Sequence, residues 1–389
     1  MTTPPKLPSV ATLHGGAGGR AGAEVTLPPT VPAFTPVNLL TGFLGAGKTT
    51  LLQRLLRSPA LADTAVLINE FGEIGLDHHL LERIDDTTVL LQSGCVCCTI
   101  RGELSAALRD LHTRRDRGEI PNFRRVVIET TGLADPLPIL TTITADPVLR
   151  HHYRLGNVIT VIDAVNGADQ LDRQPESARQ AAVADRLVLA KTDLASPAVT
   201  SDLIARLHAL NPSASLIDVN HEALDAGQLL SQDLSDAARR ADETRRWFVP
   251  RANAADAGAI EQRTGHRHGH GITSFCLVFE QPLDWTGFGI WLSMLLHRHG
   301  ARVLRVKGLL NLIGEAAPVA VHGVQQLVHA PVHLRAWPDA DRRSKIVFIV
   351  QGLEPEVVER SLRVFMAIGL HQGLHGGPAI SCPATDLAR

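Results

Sequence analysis

Short, nearly continuous runs of aliphatic and β-branched residues recur along the first two thirds of the chain, separated by longer stretches at helical spacing. The runs are VNLL (37–40), AVLINEF (65–71), RRVVIET (124–130), NVITVIDAV (157–165), RLVLAKTDL (186–194) and ASLIDVN (214–220). Strands apolar on both faces and alternating with helices predict an α/β fold with a doubly wound, mostly parallel sheet. After about Asn220 the pattern weakens into an Ala-, Asp- and Arg-rich helical stretch that ends in EQRTGHRHGHG (261–271), a polar linker. A second block begins at Ile272. There ITSFCLVFE, VLRVKGLLNL, PVAVHGVQQLVH, VHLRAW and SKIVFIVQGL read as strands, and WTGFGIWLSMLLHRHG and PEVVERSLRVFMAIG as helices. That order predicts a smaller α+β domain with helices on one face of an antiparallel sheet. The expected layout is a flexible Pro/Gly/Ala/Thr-rich tail (1–34), a nucleotide-binding domain (35–225), a helical segment and His-containing linker (226–271), the α+β domain (272–370) and a tail (371–389). No internal repeat is present.

Chemistry concentrates where the strands end. TPVNLLTGFLGAGKTT (35–50) contains G-x-x-x-x-G-K-T between an apolar run and LLQRLL at helical spacing, the context a phosphate-binding P-loop requires. Gly42, Gly45, Ala46 and Gly47 let backbone N–H groups turn inward on a phosphate chain, with Thr50 closing the motif. Lys48 reaches the β- and γ-phosphates, and Thr49 supplies a hydroxyl to Mg²⁺. In IETTG (128–132), Glu129 at a strand end can hold the Mg²⁺ shell or orient a water, and the Gly132 N–H can sense a γ-phosphate. LAKTDL (189–194) resembles the guanine-reading N-K-x-D motif. Asp193 would accept from guanine N1 and N2 and the Lys191 stem would cover the base, but Ala190 stands where Asn is usual. GTP is therefore the expected nucleotide, with relaxed specificity open.

The thiols change the picture most. Cys95, Cys97 and Cys98 in GCVCC (94–98) form a soft-metal site suited to Zn²⁺, Cu⁺ or Co²⁺. Neighbouring positions rarely complete a tetrahedron, so a further ligand comes from Glu70, Glu73, His78 or His79 in NEFGEIGLDHH (69–79), or from a client. A redox role is the chemical rival. The same acidic stretch lies where a switch loop would, and Asp77 or Glu73 could contact Mg²⁺ in the triphosphate state. His266, His268 and His270 alternate in the linker and could capture metal weakly; His322, His329 and His333 read as surface or strand residues.

Composition narrows the partners. A chain of 389 residues with 44% hydrophobic and 20% charged content suits two ordinary globular domains, and a formal net charge of −2 argues against a general nucleic-acid or membrane partner. No apolar run reaches spanning length, and the first residues lack a secretory layout. Five cysteines, three of them clustered, read as reduced thiols in a cytoplasmic protein rather than a disulfide framework.

GFLGAGKTT, NEFGE, GCVCCTIRGEL, ETTGLADP and AKTD, in this order and spacing, resemble the CobW-type metallochaperone GTPases. The resemblance runs over about residues 35–370. It implies a P-loop GTPase domain, a smaller C-terminal domain, and zinc or cobalt held by Cys95, Cys97 and Cys98. It also implies GTP-dependent delivery of that metal to an apo-metalloprotein client, with a nucleotide- or metal-dependent dimer allowed. Carried over by residue, 42–50 hold phosphate and Mg²⁺, Glu129 with Gly132 forms the Walker-B-like element, and Lys191 with Asp193 reads the base. Zinc is preferred over cobalt. The alternatives are cobalt supply for cobalamin synthesis and a GTP-switched metal or redox sensor that delivers nothing.

Overall fold

The computed structural model describes residues 34–58, 61, 63–68, 89–92, 100–221, 226–230, 266–267 and 269–373. Cys95, Cys97, Cys98, Glu70, Glu73, Asp77, His78, His79 and His268 lie outside the described residues.

The first sheet is parallel throughout. Its strands are β1 (Thr35–Gly42), β2 (Thr64–Ile68), β3 (Val89–Gln92), β4 (Arg125–Glu129), β5 (Tyr153–Asp163), β6 (Arg186–Ala190) and β7 (Ser215–Asp218), in the order β3-β2-β4-β1-β5-β6-β7. The helices described with them are α1 (Lys48–Leu56), α2 (Ile100–Asp116), α3 (Pro136–Ala145), α4 (Leu149–His152), α5 (Gly167–Arg173), α6 (Pro175–Val183), α7 (Pro197–Leu210) and α8 (Ala226–Leu229). β1 and β4 are buried at every position, as a sheet covered on both faces demands. Alternate residues feed different cores: Val37 and Leu39 pack with α2, α3 and α6, whereas Leu40 packs with Leu51, Leu52 and Leu55 of α1. Strand β3 has no counterpart among the expected runs. TVLLQ is short and leads directly into the cysteine motif, which masked its strand character.

The second sheet is antiparallel. Its strands are β8 (His266–Arg267), β9 (Ile272–Phe279), β10 (Val303–Leu310), β11 (Val319–Val324), β12 (Leu327–Val328), β13 (Val332–His333) and β14 (Ser344–Gln351), ordered β12-β11-β10-β14-β9-β8 with β13 on β11. Helices α9 (Trp285–His299) and α10 (Pro355–Gly373) contribute Phe288, Trp291, Leu295, Val358 and Leu362 to a core with Phe275, Val306 and Phe348 of the strands. Period-two alternation sends the other side chains of these strands to the opposite face. There Ile272, Leu304, Val324 and Ile349 join the core containing α6 and α7, so the two sheets are bound through one continuous apolar seam.

Three expectations are corrected. PVAVHGVQQLVH is a hairpin rather than one strand, because Gln325 at φ 51° turns the chain between β11 and β12. Part of the expected His-containing linker is strand β8, whose His266 pairs with Ser274. The last helix extends to Gly373, past the expected tail boundary. No helix among the described residues is long and apolar enough to cross a membrane.

Candidate nucleotide and metal site

β1 ends in a turn that only glycine fits. Gly42 has φ 141°, and a Cβ there would lie 2.4 Å from the Val161 carbonyl oxygen of β5. Any larger residue would push apart the two strands that frame the loop. Gly45 and Gly47 also take positive φ, 71° and 100°, and Gly47 caps α1, whose first residue is Lys48. The loop thus presents backbone N–H groups and the positive end of a helix to one place, an arrangement suited to phosphate. Lys48 Nζ donates to the Gly42 and Phe43 carbonyls at 3.0 and 3.2 Å, so its ammonium lies folded against the loop's own backbone. A phosphate chain would compete for it.

β4 ends beside this loop at Glu129, buried at 1% exposure. The Thr49 hydroxyl donates to Glu129 Oε1 at 2.7 Å, joining the first turn of α1 to the end of β4. Two hard oxygen donors at this separation fit Mg²⁺, which prefers a few protein oxygens and keeps its other positions for water and phosphate. Behind Glu129, Thr130 Oγ1 donates to Thr41 Oγ1 at 2.9 Å and Thr130 N to Leu40 O at 2.9 Å. Gly132 follows. A Cβ at Gly132 would stand 2.5 Å from the Leu44 backbone nitrogen, so the loop after β4 rests directly on the P-loop.

The ends of β5 and β6 complete the edge. Lys191 takes a left-handed conformation (φ 61°), and its Nζ donates to Gly45 O at 2.7 Å and Asp163 Oδ2 at 2.8 Å. Asp163 was not among the sequence candidates. Burial opposes its ionisation, but bonds from Lys191, Asn166 and Val165 outweigh that and hold its carboxyl below the usual range. Its only sequence signal was an acidic residue at a strand end. Asp193 Oδ1 accepts from Asn220 Nδ2 at 2.6 Å, and Thr192 Oγ1 donates to Asp218 at 2.8 Å. Asn220, two residues past β7, was likewise missed. Ala190 faces the P-loop: its Cβ is 3.8 Å from a Cβ built at Gly47.

The cysteine motif and the acidic stretch are not described, yet the strands that lead into them are. Ile68, Gln92 and Glu129, the last residues of β2, β3 and β4, stand in register at the same edge. Among the described residues no group of His, Cys, Asp and Glu is assembled to hold a metal. Of the linker histidines, His266 lies on β8, and His270 takes φ 62° with its carbonyl accepting from Gln351 Nε2 at 3.0 Å, a structural contact.

Residues 36–218 match the CobW/HypB/UreG nucleotide-binding domain and residues 272–366 the C-terminal domain of cobalamin synthesis protein CobW. The chain belongs to the CobW/HypB/UreG family. Among its relatives, the zinc chaperone YjiA of Escherichia coli is 35% identical over 322 residues, 82% of this chain and 96% of that one. The zinc chaperone CobW of Pseudomonas aeruginosa is 29% identical over 378 residues, covering 89% and 95% respectively. The zinc-regulated GTPase metalloprotein activator 1 of Schizosaccharomyces pombe is 31% identical over 347 residues, 82% of each chain. The crystal structure of the Zn(II)-bound YjiA GTPase from Escherichia coli superposes with a TM-score of 0.63 at 30% identity, covering 85% of this chain and 99% of that one. Both sheets of the family fold are therefore present here.

Proposed function

We propose that this protein is a Mg²⁺-dependent GTPase that binds zinc through Cys95, Cys97 and Cys98 and passes it to an apo-metalloprotein client. The observation that carries the reading is the Thr49–Glu129 bond at 2.7 Å, which ties the P-loop helix to the strand edge from which the cysteine motif departs. Relatives named zinc chaperone and zinc-regulated GTPase support the choice of cargo.

The roles follow from position. The N–H groups of 42–47 and Lys48 bind phosphate; Lys48 leaves the Gly42 and Phe43 carbonyls to do so. Thr49 and Glu129 are the groups that would hold Mg²⁺, which neutralises charge developing between the β- and γ-phosphates. Lys191, braced by Gly45 O and Asp163, lays its stem at the base position, and Asp193 accepts from guanine N1 and N2. Loss of the γ-phosphate frees the Gly132 loop, and the coupling to metal would run through the strand edge at which β2, β3 and β4 end together. Metal affinity then depends on nucleotide, by about 1–3 kcal/mol or roughly 5–150-fold for coupling of this kind. Association of two copies in one nucleotide or metal state belongs to the same reading, as does a cytoplasmic location.

The test is a competition titration of Zn²⁺ and Co²⁺ against a chromophoric chelator with a Mg²⁺–GTP analogue, with Mg²⁺–GDP, and on a combined Cys95→Ser, Cys97→Ser, Cys98→Ser variant. Tighter zinc binding with the GTP analogue, lost in the variant, is expected. Equal affinity in both nucleotide states, or binding that survives the serines, would sink the delivery mechanism.

A further inference from the structure

Gln180 has no part in the phosphate site as described, yet it is fully buried at 0% exposure on α6, among Ala178, Ala181, Ala182 and Val183. Its Nε2 donates to the Gly132 carbonyl and to the Ala134 carbonyl, each at 3.0 Å. Two carbonyls require two N–H donors, which fixes the orientation of the amide and leaves its oxygen over. Oε1 is indeed buried without a hydrogen-bond partner among the described residues. An unsatisfied buried acceptor is costly and persists where something else demands the arrangement. Packing does not demand it, since the buried residues beside it on the helix that join the apolar core, Ala178, Ala181, Ala182 and Val183, would accept an apolar side chain of the same length. What Nε2 grips is the loop that starts at Glu129, rests on the Leu44 backbone at Gly132, and ends at Asp135, which caps α3 through Leu137 N at 3.0 Å. The helix bearing Gln180 is itself anchored. The Gln180 carbonyl accepts from Thr160 Oγ1 of β5 at 2.8 Å, and Asn211 Nδ2 donates to the carbonyls of Ala181, Ala182 and Ala184 at 2.9, 3.1 and 2.9 Å.

We propose that Gln180 is a positioning residue for GTP hydrolysis: by holding the Gly132 and Ala134 carbonyls it fixes the Gly132 N–H against the P-loop, where the γ-phosphate is met. The assignment rests on the reading of the site as a GTPase. GDP lacks the phosphate that Gly132 meets, so the residue matters to turnover much more than to diphosphate binding.

The test compares the full chain with Gln180→Met and Gln180→Glu, following steady-state GTP hydrolysis, binding of a fluorescent GDP analogue, and folding by circular dichroism. Gln180→Met removes both donors at similar volume; kcat is expected to fall by about 10-fold or more while GDP affinity stays within about 3-fold. Gln180→Glu places an acceptor against two acceptors. Its carboxyl, forced towards the protonated form by burial, regains one donor as pH falls. Its rate relative to the unaltered protein should therefore rise between about pH 8 and pH 6, a profile that loss of packing would not produce. An unchanged kcat in folded Gln180→Met, a parallel loss of GDP affinity, or a Gln180→Glu profile that tracks the unaltered protein would each overturn the assignment. Should Gln180→Met not fold, the Gln180→Glu profile decides alone. Absence of GTP hydrolysis in the unaltered chain would overturn the GTPase reading together with this one, whereas normal hydrolysis with indifferent variants overturns only this one.

Discussion

The two ends of strand β6 carry opposite solutions to the same problem, how to keep charge inside a protein. At its amino end Asp185 is buried at 3% exposure. Arg305 and Lys307 reach it from β10 of the second sheet, Lys307 at 3.3 Å; His322 lies at 3.9 Å, and Val158 N donates at 3.0 Å. Arg305 also donates to the Val183 carbonyl, and Lys307 to Ser213 O at 3.2 Å. Burial opposes the charge on Asp185, but these cations and bonds hold its carboxyl far below the usual range. At the carboxyl end Asp193 is exposed, Lys191 is braced on a neighbouring carbonyl, and Lys48 and Thr49 bond to nearby P-loop and β4 groups. Charges at the first end are committed to one another and close the seam between the sheets. Those at the second, under the function proposed above, are held by partners that a nucleotide and Mg²⁺ would replace. The difference separates stability from activity along a single strand.

Breaking the seam should have the largest effect. Asp185→Asn leaves Arg305 and Lys307 buried without their anion, and loss of one partner of a buried pair costs about 3–5 kcal/mol. Chemical unfolding should show that loss, and where the variant folds, its GTP hydrolysis per folded molecule should be nearly unchanged. Lys48→Ala should do the reverse. Hydrolysis should drop by about 10²–10³-fold, as for removal of one preorganised donor to transition-state charge, with stability within about 1 kcal/mol. If Asp185→Asn lost turnover at full stability, the separation would fail.

The histidines of the seam add a pH dependence. His322 and His329 stack with ring centroids 4.4 Å apart. Burial outweighs Asp185, with Arg305 and Lys307 adding to it, and pushes His329 down to about 4; burial, then His329 and Arg305, hold His322 well below its ordinary value. Both are therefore neutral in the folded protein, while the unfolded chain takes up protons below its ordinary value of about 6.5. The unfolded state then binds more protons, so stability is full above about pH 6.5 and falls as pH drops towards 4. For His329 alone the loss amounts to roughly 3 kcal/mol at most. His329→Gln should flatten the slope of unfolding free energy between pH 6.5 and 4; an unaltered slope would place the acid sensitivity elsewhere.

How much of this could be read from the sequence depended on the span of each interaction. The P-loop turn was legible because its glycines, Lys48 and Thr49 are adjacent, and one strand-turn-helix sets their geometry. The two sheets were legible because continuous apolar runs and alternating runs bury different faces. The seam was not: Arg305 and Asp185 are 120 residues apart, and a charged residue inside VLRVKGLLNL looks like the exposed side of an edge strand. His322 and His329 were read as ordinary surface or strand residues for the same reason. Gln180 was invisible because its partners are main-chain carbonyls, which carry no side-chain signal. β3 and the hairpin at Gln325 were missed because each depends on a few residues where local preference is weak.

The smallest effect concerns the base. Ala190 replaces the Asn usual in the guanine-reading motif, and its Cβ faces the P-loop at Gly47. Asn220 Nδ2 meanwhile donates to Asp193 Oδ1 at 2.6 Å from the end of the neighbouring strand. An amide is thus already present beside the carboxylate, supplied by β7 rather than β6. If it orients Asp193 as the missing Asn would have done through the P-loop, Ala190→Asn should raise the preference for GTP over ITP only about 2–3-fold. Asn220→Ala should lower it by about 5–10-fold, in the range of one ordinary intramolecular hydrogen bond. Competition between the two nucleotides in hydrolysis measures both. A large gain from Ala190→Asn with no loss from Asn220→Ala would show that base recognition in this chain is incomplete rather than rearranged.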